Sequence, residues 1–329
     1  MTQGVYFLCR NNYQIFLTQE GQKHRVMNVL ISFFIVFFSK GVASATILFT
    51  DVTSQSGIEF RHTNGAGGSK FVIETVGPGV GFFDYDSDGF LDIYLVNGAA
   101  TPGTEYETDP ENALYRNVHD GSFIDVTKVS KTGDKGYGMG IAAGDFDNDG
   151  NIDVYIGNFG ANVLYRNLGD GSFEDVSISA QVADQRWATS CAFSDVDRDG
   201  FVDLYVANYH DFSYTNHRVC SEGGSGLQLY CGPEAFDGVS DVLYKNLGNG
   251  KFIDITESSG LFREDGKELG VVFGDVDADG DSDLYLANDK TLNFLFINSG
   301  DGTFSEVGLI SGAAYNEDGD VEAGMGGDM

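Results

Sequence analysis

The chain has 329 residues, with 50 Asp plus Glu against 19 Lys plus Arg and a formal charge of −31 at pH 7. So little basic surface argues against nucleic acid as a partner and against adsorption to anionic membranes, because both need cations facing phosphate. Hydrophobic residues at 42% allow a packed core, and 45 Gly with only 4 Pro suit an all-β chain rich in tight turns.

In chain order, the first feature is an apolar run of ten residues, VLISFFIVFF (29–38), behind Lys23, His24 and Arg25 and ahead of Ala43-Ser44-Ala45. That is the three-part layout of a secretory signal peptide. The run is too short for a ~30 Å hydrocarbon core, and Lys40 blocks its extension. The expected start is Met27, with cleavage between Ala45 and Thr46. Residues 1–45 are then the signal-peptide region, and 46–329 are secreted, extracellular or periplasmic. Calcium is plentiful there and disulfides persist. Cleavage removes Cys9 and leaves Cys191, Cys220 and Cys231. Cys220 and Cys231 flank a Gly-rich stretch that a disulfide could clip, whereas Cys191 lies in an apolar strand-like run and reads as a small buried hydrophobe.

The pattern D-x-D-x-D-G-x-x-D follows four times, at Asp84–Asp92, Asp145–Asp153, Asp195–Asp203 and Asp275–Asp283. Four carboxylates in one short loop repel one another unless a cation sits among them. Hard oxygen ligands around a forced Gly turn suit Ca²⁺. Four ions would return +8 to the charge balance. The expected side-chain ligands are the first, third, fifth and ninth residues: Asp84, Asp86, Asp88 and Asp92; Asp145, Asp147, Asp149 and Asp153; Asp195, Asp197, Asp199 and Asp203; Asp275, Asp277, Asp279 and Asp283. The backbone carbonyl of the seventh (Phe90, Asn151, Phe201, Asp281) completes each set. An EF-hand is excluded, because its twelfth position must be a bidentate Glu on a helix. Here that position holds Leu95, Ile156, Val206 or Leu286, inside runs with strand composition.

Each loop belongs to a longer repeat. A Tyr stands ten residues after the first Asp (Tyr94, Tyr155, Tyr205, Tyr285) and an Asn thirteen after it (Asn97, Asn158, Asn208, Asn288). A shared block follows: LYRNVHDGSF (114–123), LYRNLGDGSF (164–173), LYKNLGNGKF (243–252) and LFINSGDGTF (295–304). Apolar Gly-rich segments enter each loop, β-rich runs such as DIYLVN leave it, and Asp-Gly or Asn-Gly marks a hairpin after the third strand. Four antiparallel strands per unit at this period describe a β-propeller. Residues 47–53 (ILFTDVT) read as a lone closing strand, equivalent to the fourth strand of such a blade.

Between the Asn and the next block, the third unit carries an insertion of 35 residues against 17, 6 and 7 in the others. Rigid scaffolds display function on such loops. Its Tyr209, His210, His217 and Arg218 are the candidate ligand-contacting residues, with His210 and His217 as a possible second metal pair. Trp187, the only Trp, reads as packing, and Glu74 as a structural hydrogen-bonding group. No HExxH, GxSxG or P-loop is present.

The acidic loops within four-stranded units resemble the FG-GAP (VCBS-type) repeats of integrin α-subunit propellers. The phrases FTDVTSQSGIEF (49–60), IETVGPGVGFFDYDSDG (73–89), RWATSCAFSDVDRDG (186–200), YCGP (230–233) and AGMGGD (323–328) resemble the ASPIC/UnbV family, relatives of cartilage acidic protein. That resemblance implies a seven-bladed propeller and a C-terminal ASPIC/UnbV domain. This chain stops at Met329, where Gly324-Met325-Gly326 repeats the Gly138-Met139-Gly140 lead-in, so it is expected to be an incomplete propeller from a truncated gene. The functional expectation is a secreted, calcium-stabilised, non-catalytic binding or adhesion module with a protein or glycan partner. The alternative is the scaffold of a secreted carbohydrate-active or biosynthetic enzyme whose catalytic part lies elsewhere.

Overall fold

The computed structural model describes residues 49–221 and 226–327. The expected leader, the Met27 start and the Ala45–Thr46 cleavage site lie outside the described residues. Among those described, no helix is long and apolar enough to cross a membrane.

Four antiparallel sheets of four strands follow one another, each built in sequence order. The first holds β1 (Val80–Phe83), β2 (Asp92–Leu95), β3 (Ala113–Asn117) and β4 (Phe123–Asp125), the second β5 (Tyr137–Gly144), β6 (Asp153–Phe159), β7 (Val163–Asn167) and β8 (Phe173–Asp175). In the third, β9 (Ala188–Ser194) and β10 (Asp203–Asn208) are separated from β13 (Val242–Asn246) and β14 (Phe252–Asp254) by the insertion, which carries its own hairpin, β11 (Cys220–Ser221) with β12 (Gln228–Leu229). The fourth holds β15 (Glu268–Gly274), β16 (Asp283–Asn288), β17 (Phe294–Asn298) and β18 (Phe304–Glu306). Every acidic loop joins the first and second strands of its sheet, as the repeat pattern requires.

The first strands β1, β5, β9 and β15 are successive neighbours. Apolar side chains fill the gap between each pair of sheets: Tyr94, Leu114 and Ile156 between the first and second, Tyr155, Leu164 and Val206 between the second and third, and Tyr205, Leu243 and Leu286 between the third and fourth. Polar stitches run across the same boundaries. The Asn closing the third strand of the second, third and fourth sheets donates its amide to a carbonyl in the preceding blade's acidic loop: Asn167 to Tyr85 at 2.8 Å, Asn246 to Phe146 at 2.7 Å and Asn298 to Val196 at 2.8 Å.

Of the lone closing strand expected at 47–53, residues 49–53 are described, and they pair with no strand among the described residues. What stands there is the turn that ends a blade. Thr53 N–H donates to Asp51 as Thr127 does to Asp125, Ser177 to Asp175 and Thr256 to Asp254. Gly57 (φ 78°) then lies so near β4 that a Cβ on it would come within 2.6 Å of the Phe123 carbonyl; Gly260 (φ 84°), at the end of the third blade, stands 2.8 Å from that of Phe304 in β18 by the same measure. Residues 51–57 thus meet the first blade as the third blade's end meets the fourth. At the other terminus, Gly324 N–H donates to the Asn288 carbonyl at 2.8 Å, the counterpart of Gly138 on Asn97 at 2.9 Å.

Candidate functional site

The acidic loops share one geometry. The first Asp accepts the backbone N–H groups of the fifth and sixth residues, as in Asp84 with Asp88 (3.0 Å) and Gly89 (2.8 Å), and the same pair of bonds recurs on Asp145, Asp195 and Asp275. The sixth-position Gly takes a positive φ of 88–92°. So does the fourth residue, which is not Gly: Ser87, Asn148, Arg198 and Ala278 all lie between 57° and 64°. Two left-handed residues in three coil the chain so that carboxylates face inward.

The ninth Asp does more than the sequence suggests. Asp92, Asp153, Asp203 and Asp283 are buried, and each accepts two backbone N–H groups. One comes from the second loop residue (Tyr85, Phe146, Val196, Val276), the other from the Asn at the end of the third strand (Asn117, Asn167, Asn246, Asn298), all at 2.8–3.1 Å. This residue ties the loop to the sheet whether or not an ion is bound. Burial pushes Asp153 up to about 7 and Asp203 up to about 6.

The third Asp carries the strongest sign of a cation. In three loops one oxygen faces a basic side chain from the third strand: Asp86 Oδ2 with Arg116 at 4.0 Å, Asp147 Oδ2 with Arg166 at 2.5 Å, and Asp197 Oδ2 with Lys245. In all three the other oxygen, Oδ1, is buried without a hydrogen-bond partner. A buried acceptor left bare costs about 1–3 kcal/mol and demands an explanation. The first and third Asp converge with the ninth in the first two loops and with the fifth in the last two, with ligand atoms within 4.8 Å of one another. The basic residues Arg116, Arg166 and Lys245 were not singled out by the repeat, since LYRN and LYKN read simply as strands. The fourth loop has Ile297 at that place, and Asp281 pairs instead with Arg198 of the neighbouring blade.

The insertion is placed differently from expectation. Tyr209 and His210 are 3% and 1% exposed and lie inside an aromatic cluster with Trp187, Phe212 and Phe236, so they form no surface platform. His210 stacks between Tyr209 and Phe236, at ring separations of 4.1 and 4.6 Å. His217 lies apart, against Phe71 and the Ser69 carbonyl, and Arg218 covers the Phe236 ring. The acid clusters able to hold a metal, among the described residues, include neither His. The insertion folds down because its aromatic residues bury more apolar area against residues 71–76 than they would over water. The Cys220–Cys231 disulfide is present and Cys191 is buried and free. Glu74 is indeed structural, accepting from Phe71 N–H and from Tyr230 at 2.7 Å.

Burial lowers the His210 pKa to about 3, with Lys267 adding to the effect. The unfolded state binds a proton below about 6.5 that the folded state refuses until about 3, so this group makes stability fall as pH drops through that window. His210→Phe should therefore show a shallower loss of denaturation midpoint between pH 6.5 and 4 than the parent. Parallel curves would refute the neutral buried imidazole. For the disulfide, an 11-residue separation sets an expected loss of about 2–3 kcal/mol for Cys220→Ser with Cys231→Ser in urea unfolding.

A family model described as FG-GAP-like repeat matches residues 84–156, 145–206 and 275–324, together more than half of the chain. No curated protein matches the sequence. Similar solved structures include a lectin of Agrocybe aegerita, at 17% identity and TM-score 0.29 over 69% of this chain and 64% of that one. Another is the V. cholerae biofilm matrix protein Bap1, at 16% identity and TM-score 0.30 over 72% and 40%. The chain spans less than two thirds of either, and likenesses this loose bear on neither fold nor function. The repeat match rests on the same acidic loops and strands whose geometry is described above, and by it the chain belongs to the FG-GAP-like repeat family.

Proposed function

We propose that this chain is a calcium-binding, non-catalytic binding module of the FG-GAP propeller type, exported from the cytoplasm. The observation that carries the calcium reading is the bare, buried Oδ1 of Asp86, Asp147 and Asp197, aimed away from the base that neutralises its twin. An ion in each of these three loops would take that oxygen together with the first Asp and, by loop, the fifth or ninth; in the fourth loop Asp275, Asp277 and Asp279 converge to hold it. Its chemistry there is to neutralise converging carboxylates and hold the hairpin between first and second strands. Arg116, Arg166 and Lys245 keep the outer oxygen, so base and ion divide one carboxylate between them. Titration of the metal-free protein by calorimetry should find four sites of roughly 10⁻⁴–10⁻³ M, the range of extracellular modules. No heat, together with no calcium in the purified protein, would overturn the reading.

The propeller continues beyond four blades on this proposal. Residues 51–57 take the place of a preceding blade's last turn, and residues 322–327 the place of a following blade's first strand. Partner recognition is assigned to the face carrying the third-blade insertion, with a protein or glycan as ligand. Screening on glycan and protein arrays tests that assignment, and retention of neither class refutes it.

A further inference from the structure

Two departures from the repeat meet between the third and fourth sheets. In the other three units an Asn side chain receives the backbone N–H of the Asn that ends the second strand or follows it: Asn112 receives Asn97 at 2.7 Å, Asn162 receives Asn158 at 2.7 Å and Asn293 receives Asn288 at 2.8 Å. In the third unit Asn208 N–H goes instead to Asp241 Oδ1 at 2.6 Å, and the Tyr205 hydroxyl donates to Oδ2 at 2.6 Å. The second departure is Glu268, the first residue of β15. It pairs with Asn288 where Gly138 pairs with Asn158 and Ala188 with Asn208. Its backbone carbonyl accepts Thr189 Oγ1 of β9 at 2.6 Å. Its carboxyl is a hydrogen-bonding neighbour of Asp241.

Both side chains are buried, Asp241 at 5% exposure and Glu268 at 2%. Two carboxylates so placed would repel each other and forfeit their water together. The bases nearby are engaged elsewhere. Arg186 is bound by Asp184 and by the Ser240 carbonyl, Arg263 by Asp265, and Lys267 Nζ by the Pro233 carbonyl. A shared proton resolves the conflict. Asp241 holds two donors and is the better anion, whereas Glu268 Oε2 is buried with no donor. The proton therefore belongs on Glu268. Burial pushes Asp241 up to about 7, and burial together with the Asp241 charge raises Glu268 well above the ordinary carboxyl range.

We propose that Glu268 is a carboxylic acid in the folded protein and donates its proton to Asp241, forming a latch between the third and fourth blades that base loosens. An unfolded Glu sheds its proton near 4.5 while the folded one keeps it. The contribution is thus fully present below that pH and shrinks as pH rises. His210 acts in the opposite sense, since its contribution shrinks as pH falls.

Glu268→Gln copies the protonated acid, with an amide N–H in place of the O–H. Its folding equilibrium constant, from urea unfolding in calcium, should gain on the parent by about tenfold per pH unit between about pH 5.5 and 7.5. At about pH 8.5, where exposed carboxyls are ionised, the parent's infrared spectrum should keep a protonated-carboxyl carbonyl band that the variant lacks. Amide exchange at that pH should be faster in the parent than in the variant across β10 and β15, because the opened latch sheds its proton to water. In β2 and β6 the two proteins should exchange alike. A ratio of folding constants flat with pH, no such band in the parent, or equal exchange in β15 would each overturn the proposal. The band is read on the parent, so the test holds even where the variant fails to fold.

Discussion

Removing calcium should lower the melting temperature of this protein by on the order of 10 °C. An ion that binds only the folded state stabilises it by RT ln(1 + [L]/Kd). At about 2 mM calcium and a Kd of roughly 0.1–1 mM, each site contributes about 0.6–1.8 kcal/mol, or about 3–7 kcal/mol for four. For a domain of this size each kcal/mol moves the midpoint by about 2–4 °C. The measurement is differential scanning calorimetry in calcium and in EDTA, with magnesium as a control for general divalent screening. Asp147→Ala removes the bare oxygen from one loop. It should cost about a quarter of the calcium-dependent increment in calcium and little in EDTA. A melting curve indifferent to chelator would refute the metal assignment for all four loops.

Asp153→Ala should do larger and different damage. Its carboxylate holds the Phe146 and Asn167 N–H groups at 3.0 and 2.8 Å in a fully buried position. Truncation leaves both donors without a partner and opens a small cavity beside them. Two bare buried N–H groups cost about 1–3 kcal/mol each, so the loss is on the order of 3–5 kcal/mol. Unlike the Asp147 effect, it should persist in EDTA, because these bonds are to the backbone and not to an ion. Asp153→Asn keeps one good acceptor and should fall between. Urea unfolding with and without EDTA separates the two aspartates; an Asp153→Ala loss that vanishes in chelator would make the ninth residue merely a ligand.

The repeat was legible because its signals are local. Nine residues fix the acidic loop, and Tyr94 or Asn97 stands at a constant offset because strand pairing is periodic. The disulfide was legible for the same reason, with two cysteines close in sequence around a flexible stretch. Roles set by distant partners were not. Glu74 finds Tyr230 across 156 positions, and nothing near Tyr209 or His210 announces that Phe71 and Val72 would draw the insertion inward. The bases Arg116, Arg166 and Lys245 stand 32, 21 and 50 residues after the first Asp of their loops, and a strand-like context hides them. At residues 51–57 the sequence copies the end of a repeat unit, and the local Asp51–Thr53 turn stands there.

The amide stitches from Asn167, Asn246 and Asn298 all point the same way along the chain, each blade leaning on the loop before it. Coupling between neighbours in a repeat array is usually treated as symmetric, and contacts between the loops restore that balance here: Asn148 donates to the Gly200 carbonyl at 2.8 Å and Arg198 pairs with Asp281, so a loop also holds the unit before it. A defect in the third loop should therefore spread both ways. In hydrogen exchange it would raise exchange in the fourth sheet, where Asn298 loses the Val196 carbonyl, and around the second loop, where Asn148 loses that of Gly200.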